Sequence, residues 1–197
     1  MKQTQTKGEK TKETIFQSAL FLFKTQGFSE VTIQDITHHA GIAKGSFYTY
    51  FSTKSDIIVK EFWLIDSYYK SIEEEILSLD SAKERLLQFT HKQMSYVSEI
   101  IGVDLLKILY ANQVTQEGRE KVIIDNKRFW HSFIERIMQE GIEKKEITST
   151  LDSYTLALYF NRAMRGLLLD WNISSGSFDL VRESEKYCKE FILQTFI

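Results

Sequence analysis

Not one of the 197 residues is proline. Turns, sheet edges and loop-rich folds draw on proline, whereas the interior of a helix rejects it, because it lacks an amide hydrogen and its ring strikes the preceding turn. A chain of this length without it reads as all-α. The 43% apolar fraction supplies a core and sets disorder aside. The length allows one large domain or two small ones.

Cys188 is the single cysteine. No intrachain disulfide and no cysteine-based metal site is therefore expected, which fits a reducing compartment and a cytoplasmic location. Residues 1–12 are polar and basic, and no window approaches the roughly eighteen uninterrupted apolar residues of a membrane span. Neither a signal peptide nor a membrane partner is expected.

The net charge of −2 hides an asymmetry. Residues 1–60 hold eight Lys against five acids, a surplus of +3, so the remainder carries −5. Either this is ordinary scatter, or a basic head meets a polyanion that the acidic body avoids.

From Glu9 to Gln26 the residues Ile15, Phe16, Ala19, Leu20, Leu22 and Phe23 recur at three and four, predicting a helix closed by a left-handed cap at Gly27. Thr32 and Asp35 have capping-box spacing and open a short helix with Ile33, Ile36 and Ala40 on its inner face. Only Gly41, Ile42 and Ala43 separate it from a second short helix over about 44–51, where Phe47 and Phe51 face one way and Lys44, Ser46, Tyr48 and Thr49 the other. Two short helices on a glycine-opened turn form a helix-turn-helix.

Thr53 to Asp56 reads as another capping box, opening a long helix to about Leu79. Lys54 on its first turn opposes the helix dipole by about 0.3 to 1 kcal/mol, a placement that makes sense with a phosphate nearby but also fits a merely solvated side chain. Five further helices follow: Ser81 to Ile100 behind a Ser81/Glu84 box, a short one over 103–112, about Gln116 to Lys144, one capped by Asp152 through Asp170, and Phe178 to Phe196. About nine helices are expected in all.

The order Gly27-Phe28, Thr32-Ile33, Ala40-Gly41-Ile42 and Lys44-Gly45-Ser46-Phe47-Tyr48-Thr49-Tyr50-Phe51 ahead of Lys54 closely resembles the N-terminal domain of the TetR family of bacterial transcriptional regulators. Ala43 departs from the pattern, since the family often places a Ser or Thr cap there, at a loss of about 1 kcal/mol. Further on, residues 166–171 and 176–179 resemble the penultimate and final helices of many members of the family. The resemblance implies a helix-turn-helix domain over 1–56 and, over 57–197, a helical effector-binding domain that also pairs two copies through the last two helices.

It also implies that Lys44, Gly45, Ser46, Tyr48, Thr49 and Tyr50 lie at or near the major groove of double-stranded DNA, with Thr32, Gln34, Tyr48 and Lys54 on phosphates. Lys7, Lys10 and Lys12 form a flexible arm or are simply solvated. Candidate walls for a small, largely apolar effector are Phe89, Met94, Trp130, Phe133, Phe160, Met164 and Trp171, most of them ordinary core. His91, Asn112, His131, Asn161 and Arg165 are candidates for its polar end.

No nucleophile elbow, phosphate loop, dinucleotide fingerprint or metal-ligand spacing occurs, so no catalytic residue, cofactor or metal is expected. His38 and His39 are adjacent and point to different sides of a helix. The expected activity is that of a ligand-responsive repressor bound as a dimer to a palindromic operator and released by its effector. The alternative is an architectural or division-linked DNA-binding protein of the same fold that answers to no effector, its C-terminal core being filled.

Overall fold

The computed structural model describes residues 6–115 and 121–196, apart from the side chains of residues 61–63. Among them every regular element is helical, in ten α-helices. The chain forms two compact units, Met1–Phe62 and Trp63–Ile197, and the division falls within a helix.

In the first unit, α1 (Lys7–Gln26) opens on Thr6, whose hydroxyl accepts from the Glu9 amide while the Glu9 carboxylate takes the Thr6 amide at 2.7 Å. Lys7, Lys10 and Lys12 therefore stand on helical turns and form no flexible arm. Gly27 has the positive φ of a cap, 87°, but its ψ of 142° sends the chain out extended instead of left-handed helical. Helix α2 (Ile33–His39) begins with the expected Thr32/Asp35 box and buries Ile36 and Thr37, leaving Ile33 and Ala40 half-buried. Helix α3 (Lys44–Tyr50) follows after the turn, and Phe51 ends it in extended backbone. Ile15, Phe16, Ala19, Val31, Ile36, Phe47 and Ile57 are fully enclosed and form the core of this unit.

The expected long helix to Leu79 is two helices. α4 (Ser55–Ser71) gives way at Ile72, with φ −102° and ψ 0°, and α5 (Glu73–Leu77) restarts behind it. Three consecutive glutamates at the start of α5 face its positive dipole end. Glu73 also pairs with Arg136, and Glu75 with Lys92. A new N-terminus there is thus worth more than continuity. At the head of α4, the Asp56 carboxylate accepts from the amides of Ser52 and Thr53.

Helix α6 (Ala82–Tyr96) has the expected Ser81/Glu84 box and runs into a π-helical stretch, Val97–Ile101. Gly102, with φ 76°, turns the chain into α7 (Gly102–Thr115). The helix expected from Gln116 to Lys144 begins only at Phe129, as α8 (Phe129–Glu143). Residues 116–120 lie outside the described residues. Over 121–128 the chain forms turns, with Asp125 accepting from the Lys127 amide and Arg128 committed to a buried ion pair. Helix α9 (Ser153–Ile173) is capped by Asp152 as expected, and α10 (Leu180–Tyr187) by Asp179. The last stretch continues as π-helix (Cys188–Ile192) and a 3-10 turn (Leu193–Thr195). α8 packs on α9 and α6, α10 on α6, and α7 on α9.

Candidate DNA interface and ligand grooves

Helix α3 has a buried side and an open one. Phe47 is fully enclosed, its ring 5.7 Å from that of Phe51. Lys44, Gly45, Tyr48 and Thr49 are exposed, and Ser46 is half-buried. Tyr48 keeps 53% of its surface despite its edge contact with Phe47. Tyr50 turns back instead: a Cβ on Gly8 of α1 would lie 3.4 Å from its hydroxyl. Gln34 and Thr32 are exposed on α2. The Thr32 hydroxyl closes its own cap, donating to Asp35 at 2.7 Å, which together with the Thr32 amide holds the Asp35 carboxyl below its usual range.

Gly45 is informative because nothing inside the protein asks for it. A Cβ there would meet no atom within 4 Å and its φ is not positive. A glycine inside a helix costs about 1 kcal/mol relative to alanine.

Lys54, expected on a phosphate, turns inward. Its ammonium donates to the carbonyls of Phe28 at 2.6 Å and Val31 at 2.8 Å, lies 3.4 Å from that of Ser29, and sits over the Phe28 ring at 4.3 Å. Desolvation lowers its pKa, against the pull of Glu30. In this arrangement Lys54 staples the α1–α2 loop to the start of α4. Sequence spacing could not show this, because its partners are backbone atoms more than twenty positions away.

In the second unit the seven expected effector-lining side chains are core. Phe89, Met94 and Met164 are fully enclosed, and Trp130, Phe133, Phe160 and Trp171 nearly so. Phe89 meets Phe133 edge-on at 5.4 Å. Only Phe160 borders one of the described grooves, with Tyr159, Tyr187 and Phe191. Of the polar candidates, His91 pairs with Glu185 at the surface, while Asn112 is buried and accepts from Gln113. Asn161 bonds the Nδ1 of His131 at 3.0 Å. Burial lowers the His131 pKa, opposed by Glu135 and aided by Arg165.

Arg165 lines a groove of about 580 Å³ between α7, the 121–124 turn and α9. Its walls include Tyr110, Val114, Ile123, Ile124 and Leu169, none of them anticipated. Ile123 and Ile124 carry no signal in the sequence because their apolar pattern reads as helix.

Residues 15–60 match the family described as bacterial regulatory proteins, tetR family, and residues 97–196 match the MAATS-type transcriptional repressor C-terminal region. The chain is 25% identical to the HTH-type transcriptional regulator AcrR of Shigella flexneri, over 94% of its own length and 89% of the relative's. It is also 25% identical to the fatty acid metabolism regulator protein of Bacillus subtilis, over 85% and 86%. Among solved structures it is similar in fold to Thermus thermophilus FadR in complex with lauroyl-CoA, with TM-score 0.73, 18% identity and coverage of 92% and 93%. It is likewise similar to Bacillus subtilis FadR in complex with stearoyl-CoA, with TM-score 0.71, 23% identity and coverage of 91% and 96%. With both segments matched and the helix-turn-helix in place, the chain belongs to the TetR family of bacterial transcriptional regulators.

Proposed function

We propose that this regulator is a repressor that grips a palindromic operator as a homodimer and lets go when a small effector occupies its second unit. The outward face of α3 carries the reading. Lys44 reaches a guanine edge or phosphate, Gly45 lets the backbone close on the groove, and Ser46 and Thr49 meet base edges. Tyr48, Gln34 and Thr32 hold phosphates and fix the register. Tyr50 and Lys54 act behind them, holding α3 against α1 and the α1–α2 loop in shape.

One seven-residue recognition helix covers few base pairs, so two copies on a two-fold axis are needed for affinity. The last two helices offer the surface for pairing. Tyr159, Gly166 and Ile173 share one face of α9, with Ile173 73% exposed, and Phe191 stacks on Tyr187 beside them. Effector binding then favours a state whose recognition helices no longer match successive grooves, and DNA affinity falls by the difference in effector affinity between the two states. α4 is the transmitter, since it begins in one unit and ends in the other.

The test is fluorescence anisotropy on DNA from the promoters flanking the gene, at several salt concentrations. Specific binding with a steep salt slope, lost on Tyr48→Ala with Gly45→Leu, supports the reading. Binding that no effector weakens assigns the protein to the effector-independent class instead.

A further inference from the structure

Among the described residues, the groove between α7, the 121–124 turn and α9 pairs apolar walls with cations at its rim. Three cations, Lys107, Lys121 and Arg165, stand among the described residues that line it, and no acid does. Arg165 is half-buried, and its Nη1 donates to the Ile123 carbonyl at 3.0 Å. No carboxylate lies within ion-pairing distance of it among the described residues. Burial desolvates its charge and lowers its pKa, an effect that Tyr110 opposes and Arg162 adds to. Beside it, burial pushes the Tyr110 phenol up to about 12, against the pull of the Arg165 charge. The Trp130 ring lies 5.9 Å from the guanidinium, and its indole N–H has no acceptor among the described residues. Lys121 donates to the Gln113 carbonyl at 2.6 Å, and Lys107 makes no ion pair among the described residues.

A partly buried guanidinium without an anion is costly, and an isolated charge is retained where a partner arrives to neutralise it. Ile124, 61% exposed, and Val114, 81% exposed, extend the apolar surface outward from the groove. The volume is within the range of small-molecule sites, roughly 300 to 1,000 Å³. Charge decides between ligand classes: a cationic amphiphile meets the half-buried Arg165 guanidinium here, whereas an apolar chain ending in a carboxylate satisfies that guanidinium and the walls together.

We propose that this groove binds a long-chain carboxylate, its tail along Val114, Ile123, Ile124 and Leu169 and its anionic end at Arg165. This rests on the effector reading above and gives it a site and a chemical class. The experiment is calorimetric titration of the full chain with dodecanoate, dodecan-1-ol and dodecyltrimethylammonium, each kept below its micelle-forming concentration.

Dodecanoate should bind, and the ammonium should not. Arg165→Gln should weaken dodecanoate at least tenfold and leave the alcohol unchanged. Ile124→Glu, at an exposed position, should weaken carboxylate and alcohol alike while the mass in solution stays that of the parent. Equal binding of carboxylate and alcohol to both parent and Arg165→Gln overturns the proposal, as does no binding of dodecanoate. A change of oligomeric mass in Ile124→Glu also overturns it and makes the groove a contact between copies. Because occupancy is read without DNA, carboxylate binding that leaves operator affinity unaltered would sink the effector reading while the site stands.

Discussion

The Asp66 carboxylate on α4 is clasped by two edges of the Arg128 guanidinium, Nε at 3.0 Å from one oxygen and Nη2 at 2.8 Å from the other. The third edge, Nη1, donates to the Val122 carbonyl at 3.0 Å. One side chain thus joins α4 to the 121–128 turns, and the same turns form a wall of the cation-rimmed groove. Both charges are buried, so removing one partner costs about 3 to 5 kcal/mol. Asp66→Asn should lower the unfolding free energy in urea by about that amount, whereas Asp66→Leu with Arg128→Met should recover most of it. If that double variant binds ligand but no longer releases DNA, the pair is the link to α4. Unchanged release would assign the link to other contacts.

Lys44→Ala and Tyr48→Phe should separate charge from hydrogen bonding at the DNA. Lys44 is exposed at the start of α3. Its removal should weaken operator binding and reduce the salt slope by about one if it meets a phosphate, or relax preference at one base pair at a cost of about 1 to 3 kcal/mol if it reads an edge. Tyr48→Phe should weaken binding without altering the slope. No effect from either would exclude the outer face of α3 as the DNA surface.

Gly141 illustrates what the sequence conceals. It lies inside α8, where a Cβ would come within 2.7 Å of the Ile147 side chain and 2.8 Å of that of Ala82. In sequence it is only a weak point in a helical pattern. Gly141→Ala should therefore destabilise by about 1 to 3 kcal/mol through overpacking, despite alanine's better helix propensity. A rise in melting temperature would contradict that. The capping boxes at Thr32 and Ser81, the Asp152 cap and the buried Phe47 were all legible, because spacing within one turn encodes them. The Ile72 break, the turns at 121–128 and the inward course of Lys54 were not. Each is decided by a partner distant in sequence: Arg136 and Lys92 for the glutamates of α5, Asp66 for Arg128, and the carbonyls of Phe28 and Val31 for Lys54.

His131 should make the protein acid-sensitive. Burial holds its pKa below the unfolded value of about 6.5, so the unfolded chain takes up a proton that the native one refuses. Its contribution to stability is therefore complete above pH 6.5 and falls as the pH drops from there toward the native pKa. Urea midpoints measured from pH 7.5 to 5 should decline over this window, and the decline should shrink in His131→Gln. An unchanged slope in that variant would place the acid sensitivity elsewhere.

Ala43 is the position where this helix-turn-helix leaves stability unused. Its backbone has the extended conformation of an N-cap, φ −68° and ψ 142°, but no side chain reaches the open amides of α3. Helix α2 shows the alternative one helix earlier, with Thr32 and Asp35 satisfying each other's amides. Ala43→Ser should supply the missing acceptor to a seven-residue helix and stabilise the protein by about 1 kcal/mol. If an uncapped recognition helix orders itself on DNA, the same change should tighten operator binding by lowering that ordering cost. Urea denaturation and anisotropy titration of Ala43→Ser together decide the point. A gain in stability without a gain in affinity would mean that α3 is already fully ordered before it meets DNA, and no gain in either would mean that solvent caps those amides as well as serine does.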